Sequence, residues 1–218
     1  MIWSGFRPSD DAAAYGYSIP GNMYAVGALE RVLAINDAIW KQDDLNVRVT
    51  KLRDDVLKGI EKHGIVDVGG TKVYAYEVDG LGQALTDFDD ANVPSLMSMP
   101  LLGNKHYDQQ IYANTKARLL DPRHNRYYFK GSQLEGIGSP HTPGQNVWPM
   151  SMVIQGLTTS DVDTRVKQFR QLLKSQCGNG VMHECGPKAQ GLSWSCNFGI
   201  KRSCNQEGFL FFHEPHSG

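Results

Sequence analysis

Cysteine is missing from most of this sequence: the only four, Cys177, Cys185, Cys196 and Cys204, fall in the last quarter of its 218 residues. Their spacings match no common zinc-binding pattern, and thiols placed so late do not fix a redox compartment. Long apolar runs are missing too. The longest are broken by Glu30, Arg31, Asn36 and Asp37, well short of the roughly 18 residues a membrane-spanning helix needs, so no membrane contact is expected from this segment. Excess charge of either sign is also absent. A formal net charge of -1, from 22 Lys and Arg against 23 Asp and Glu, removes any general attraction to nucleic acid or to a lipid surface and favours a small or neutral ligand. The start lacks the form of a secretory signal, because Met1-Ile2-Trp3-Ser4-Gly5 runs at once into Arg7, Asp10 and Asp11. What remains is the composition of a soluble globular domain, 21% charged and 40% hydrophobic, long enough to bury a sizeable core as one domain or one and a half.

Apolar residues recur at helical spacing through Met23, Val26, Leu29, Val32, Leu33, Ile39 and Trp40, which predicts an amphipathic helix over 22–40 with Asn22 as its N-cap. A second stripe, Leu45, Val49, Leu52, Val56 and Ile60, predicts an antiparallel partner closed by Gly64 as a left-handed cap. The pattern then alternates from Ile65 to Val78 around Gly69-Gly70, as a small β-hairpin does. Helical pieces resume at 93–99, at 111–120 before Pro122, at 148–157, and from Ser160, where Asp163 completes a capping box. Helix pairs joined by polar, chemically varied loops suggest an all-α toroid whose loops line a pocket at one end.

Four loop segments carry chemistry. In Trp3-Ser4-Gly5-Phe6-Arg7-Pro8-Ser9-Asp10-Asp11, adjacent carboxylates sit beside an arginine and aromatic rings. Sugar sites use these groups, with rings stacking on sugar faces and charged groups bonding hydroxyls, and one carboxyl of a close pair can serve as general acid. On spacing alone, either aspartate reads equally as a helix cap. In Asp87-Phe88-Asp89-Asp90-Ala91-Asn92 the acids suggest calcium, yet the Gly and terminal Glu of an EF-hand loop are absent, leaving helix capping or hydroxyl recognition. Glu135-Gly136-Ile137-Gly138-Ser139-Pro140-His141 has His where a dinucleotide fingerprint needs its third Gly, so no Rossmann site is expected. Its glycines and prolines instead fix a loop able to hold Glu135 and His141 toward a ligand. Met182-His183-Glu184 is no HExxH zinc helix, since residue 187 is Pro, but it can present Glu184 as a base on a turn.

In this order, the segments 3–11, 15–23, 89–96, 136–141, Trp148-Pro149 and 180–184 resemble glycoside hydrolase family 125, the metal-independent exo-α-1,6-mannosidases. The resemblance covers residues 1–184. It implies a partial (α/α)6 toroid with a small β-hairpin insertion, and removal of terminal α-1,6-linked mannose with inversion. It also implies an Asp general acid, a Glu general base, and neither metal nor organic cofactor. The acid then falls on Asp11, with Asp10 as the alternative, and the base on Glu184. An inverting pair stands roughly 6.5–9.5 Å apart, with room for the attacking water. Arg7, Asp89, Asp90, Asn92, Glu135 and His141 are the candidates for binding mannose hydroxyls, and Trp148 and Trp3 for stacking, although Trp148 beside Pro149 equally reads as core.

Two departures from the family stand out. Family members carry about as much chain again before the position of Met1, so a missing N-terminal half is expected to complete the fold and cover apolar faces left open here. The family continues after the glutamate with a serine and a Trp- and Ala-rich helix, whereas Cys185 opens an atypical tail over 185–218 that reads as a shifted or misjoined frame. The expected ligand is an α-mannoside or a mannose-containing glycan. A non-catalytic carbohydrate-binding remnant, an inactive truncated gene fragment and an acid-rich metal protein remain as alternatives.

Overall fold

Ser18 decides where the first helix begins. The computed structural model describes residues 1–103, 105–132, 134–142, 144–175 and the backbone of 186–187. In it a short strand, β1 (Tyr17–Ser18), leads into α1 (Ile19–Ile35), and Ser18 Oγ accepts from Gly21 N at 3.2 Å as the cap. Pro20 fits the first turn, where its missing N–H costs nothing, so the helix starts before the expected cap. Asn22 lies one turn inside instead. Its side chain accepts from Ile2 N at 2.6 Å and donates to Ile2 O and Ser18 O, fastening the N-terminus onto the helix.

The chain continues through a π turn at Asn36–Trp40 and folds back as α2 (Asp43–Gly59) along α1. Buried Asn36 closes the corner by donating to Gln42 O and Asn46 Oδ1, both at 2.8 Å. Met23, Val26, Val49, Val56 and Ile60 enter the core as the stripes predict, whereas Ile39, Trp40 and Leu52 stay exposed. A second π turn, Ile60–Gly64, ends α2. Gly64 is not a left-handed cap: the chain leaves it in extended form at Ile65, and a Cβ on Gly64 would stand 2.8 Å from Ile19 Cδ1. Glycine serves close packing here.

The hairpin has the expected place, β2 (Ile65–Val68) against β3 (Thr71–Tyr74), joined by Gly69 and Gly70 with φ of 63° and 83°, the positive pair that a two-residue turn requires. β4 (Glu77–Val78) then pairs with β1 on one side and β5 (Ala84–Leu85) on the other. No helix forms over 93–98. Ser95 and Ser98 bond each other, and the Asp89 carboxylate takes the N–H groups of Leu96 and Met97, so side chains displace the helical ladder until a 3-10 turn at Met99–Leu101.

α3 (Gln109–Leu119) is capped by Asp108. Where a loop was expected, β6 (Tyr128–Lys130) pairs with β7 (Glu135–Ile137), and β8 (Asn146–Val147) pairs with β9 (Gly186–Pro187). α4 (Pro149–Leu157) and α5 (Val162–Lys174) pack together. The cap of α5 is Asp161, which accepts from Thr164 N at 2.8 Å, one residue past the predicted Ser160. Helices dominate, but the small sheets between them qualify the all-α expectation. The main core gathers Ile19, Met23, Val56, Tyr76, Phe88 and Leu96, and a second cluster forms around Phe129, Val147 and Met152. No helix among the described residues is long and apolar enough to cross a membrane. The cysteines, Glu184 and the tail from 188 lie outside the described residues.

Candidate active site

Residues 4–16 form a loop bonded chiefly to itself. Ser4 N donates to Gly16 O, Ala13 N to Gly5 O, Arg7 N to Asp11 O and Asp10 N to Arg7 O, all within 2.8–3.0 Å, around a bridge between Phe6 and Ala12. Asp10 turns the tip with a left-handed φ of 64°, a conformation that Asp tolerates better than most residues because its short side chain bonds locally. The turn separates the two acids. Asp10 is exposed, whereas Asp11 is half-buried, accepts from Ser9 Oγ at 2.9 Å through Oδ2, and has His141 Nδ1 3.4 Å from Oδ1. Residues 130 apart in sequence thus meet.

Beneath the loop, Arg7 forms a fork with fully buried Glu77, Nε to Oε1 at 2.6 Å and Nη2 to Oε2 at 3.2 Å, and lies 4.6 Å over the Phe88 ring. Burial opposes the charge on Arg7. The hydrogen bond and charge of Glu77 outweigh it, with Tyr76 and Asp90 adding, and hold the guanidinium above its ordinary value. Glu77 also accepts from Ala14 N and Tyr15 N.

Asp89 and Asp90 are both fully buried but do different work. Asp89 spends its two oxygens on Leu96 N at 2.9 Å and Met97 N at 3.1 Å, and burial pushes its carboxyl up to about 8 against those bonds. Asp90 Oδ1 accepts from the backbone and side-chain nitrogens of Asn92, leaving Oδ2 and the nearby Tyr76 hydroxyl without a hydrogen-bond partner among the described residues. Burial first, then the charges of Asp90 and Asp89, raises the Tyr76 phenol well above its usual value. Asn92 reaches Ser139 Oγ at 3.4 Å, and the same hydroxyl accepts from His141 N at 3.2 Å, while Ala91 N donates to Gly138 O. A Cβ on Gly138 would meet Asn146 O at 2.2 Å, so only glycine lets the chain leaving β7 approach β8 this closely. Trp148 is buried against Ala91, donates to Thr142 Oγ1 at 2.9 Å and meets the His141 ring edge-on.

The described residues therefore bring together Arg7, Asp11, Asp89, Asp90, Asn92, His141 and Trp148. Glu135 keeps other company, bonded by Lys167 Nζ at 2.6 Å and by Tyr128 Oη, with Lys130 nearby. Trp3 is exposed and lies over Gly16. Glu184 is outside the described residues, yet Gly186, two positions later, pairs with Val147 next to Trp148. Glu77, Ser9, Ser139 and Thr142 were not expected from sequence. For Glu77 a signal existed: it is one acid inside the otherwise apolar and aromatic run Val73 to Val78. Among the described residues no cluster of His, Cys, Asp and Glu can hold a metal ion.

The model of the metal-independent α-mannosidase family matches residues 1–198. The meiotically up-regulated gene 157 protein of Schizosaccharomyces pombe is 44% identical over 187 residues, which are 84% of this chain and 36% of that protein. A Streptococcus pneumoniae metal-independent α-mannosidase, solved in a non-productive substrate complex with α-1,6-mannobiose, is similar with a TM-score of 0.82 and 39% identity, over 87% of this chain and 45% of that one. The chain spans less than half the length of either relative. With nearly its whole length matched by the family and its fold shared with a solved member, the chain belongs to the metal-independent α-mannosidases of glycoside hydrolase family 125.

Proposed function

We propose that this chain is part of an inverting exo-α-1,6-mannosidase in which Asp11 protonates the leaving oxygen and Glu184 activates the attacking water. The observation that carries the reading is the setting of Asp11, held by Ser9 on one oxygen and faced by His141 on the other, at the meeting of two loops. A general acid must be oriented yet reachable by substrate, and the Asp11 side chain keeps 30% of its exposure. Asp10, its alternative, points from the same tip. Support for the base role of Glu184 comes from its place in sequence, two residues before Gly186, which pairs with Val147 next to Trp148. Asp90, with one oxygen unclaimed, and Asn92 are suited to sugar hydroxyls, backed by Arg7, Asp89, His141 and Trp148. Glu135, engaged by Lys167 and Tyr128, stands outside this group. The helices belong to a partial (α/α)6 toroid, and the length by which the relatives exceed this chain completes it.

Mannose release from α-1,6-mannobiose, with the first-formed anomer read by proton NMR, tests the proposal. Asp11→Asn and Glu184→Gln each should lower turnover by about 100-fold or more, and the first product should be the β anomer. Full turnover in Asp11→Asn would remove Asp11 from the acid role, and a first-formed α anomer would overturn inversion. A second reading, a carbohydrate-binding remnant, is favoured by the 45% coverage of the solved relative. Calorimetric binding of mannobiose by this chain without turnover would support it.

A further inference from the structure

We infer that Glu77 is the positioning residue for the acid loop, fixing both of its ends to the sheet so that Asp11 meets His141. The inference rests on the reading of Asp11 as the acid. Glu77 sits on the central strand of its sheet, paired through Ser18 on one side and Leu85 on the other, so its Cα is held from both edges. Its two oxygens accept four bonds. Arg7, at the start of the loop, gives two of them at 2.6 and 3.2 Å, and the backbone of Ala14 and Tyr15, at its end, gives two at 2.8 and 3.1 Å. Arg7 in turn donates its own N–H to Asp11 O at 2.8 Å and accepts from Asp10 N.

A path of three residues thus runs from the sheet to the backbone of the acid: Glu77, Arg7, Asp11. The other backbone bonds of the loop close on residues within 4–16 and set its shape without setting its place. A buried ion pair is a poor means of gaining stability, since apolar groups of similar volume commonly do as well. A planar fork meeting a carboxylate, however, fixes direction as well as distance. That is what an acid needs, because small misplacements of a catalytic group cost rate steeply.

The test compares Glu77→Gln with Asp11→Asn on two substrates, α-1,6-mannobiose, whose leaving alkoxide must be protonated, and 2,4-dinitrophenyl α-mannoside, whose leaving phenolate need not be. Glu77→Gln should lower kcat on mannobiose on the order of 10- to 100-fold with KM little changed, and leave the dinitrophenyl substrate within about threefold. Equal loss on both substrates would reduce Glu77 to a structural residue and overturn the inference. If Asp11→Asn itself shows no dependence on leaving group, the acid assignment fails. A readout without turnover then decides the positioning: the His141 ring resonances should move in Glu77→Gln as they do in Asp11→Asn, while the amide resonances of α3 stay in place. Unmoved His141 resonances would sink the inference. Should Glu77→Gln not fold, Glu77→Asp, which keeps the charge but is too short for both loop ends, carries the same comparisons.

Discussion

Asp89 lies fully buried within the acidic run that the sequence singles out. That run left helix capping or hydroxyl recognition open, and both Asp89 oxygens accept from the N–H groups of Leu96 and Met97. Burial raises the carboxyl from an ordinary 3.8 to about 8, against those two bonds and with the help of Asp90. The folded chain therefore holds this proton more tightly than the unfolded one. Between the two values unfolding releases the proton, so the contribution of Asp89 to stability falls as pH rises from about 4 to about 8 and is level above that. Urea midpoints at pH 5 and pH 8 should differ in the wild type, and Asp89→Asn, which cannot titrate, should narrow the gap. An unchanged gap would show that Asp89 does not bind the proton on folding. The loop at 4–16 and the His141 segment stand out in the sequence because their chemically distinctive residues are contiguous there. Glu77 shows there only as a lone acid in an apolar run, because its meaning lies in a partner 70 residues away.

At the scale of elements, periodicity located α1, α2, α3, α4 and α5, while their ends depended on contacts that periodicity does not contain. Asn22 looked like the N-cap of α1 and lies one turn inside it, and Gly64 looked like a cap and is a packing glycine. Strands of two or three residues, such as β6, β7 and β8, are too short to alternate, so pairing alone defines them. The packing role of Gly64 is testable. Alanine there would place Cβ 2.8 Å from Cδ1 and 3.3 Å from Cγ1 of Ile19, itself fully buried, and Gly64→Ala should cost about 1–3 kcal/mol by overpacking. Removing Cδ1 with Ile19→Val should restore part of that loss in the double variant, whereas simple additivity of the two losses would count against a direct clash.

For the whole molecule, the most telling feature among the described residues is that α5 turns much of its apolar surface outward. Gln168 and Gln171 are its buried residues, while Val162, Val166, Phe169 and Leu173 run along an open face, Phe169 at 59% exposure. Phe169 and Leu172 of α5, with Met152, Val153 and Leu157 of α4, line a recess of about 350 Å³ beside this face. Soluble monomers rarely leave so continuous an apolar patch open, and among the described residues nothing covers it. The patch itself is open to measurement. An apolar dye such as ANS should bind the folded chain, and Phe169→Ser with Leu173→Ser should remove most of that fluorescence while shifting stability by no more than about 0.5 kcal/mol per site, as exposed positions do. A large drop in melting temperature would mean that the two side chains are already packed in this chain, and undiminished fluorescence would place the open apolar surface elsewhere.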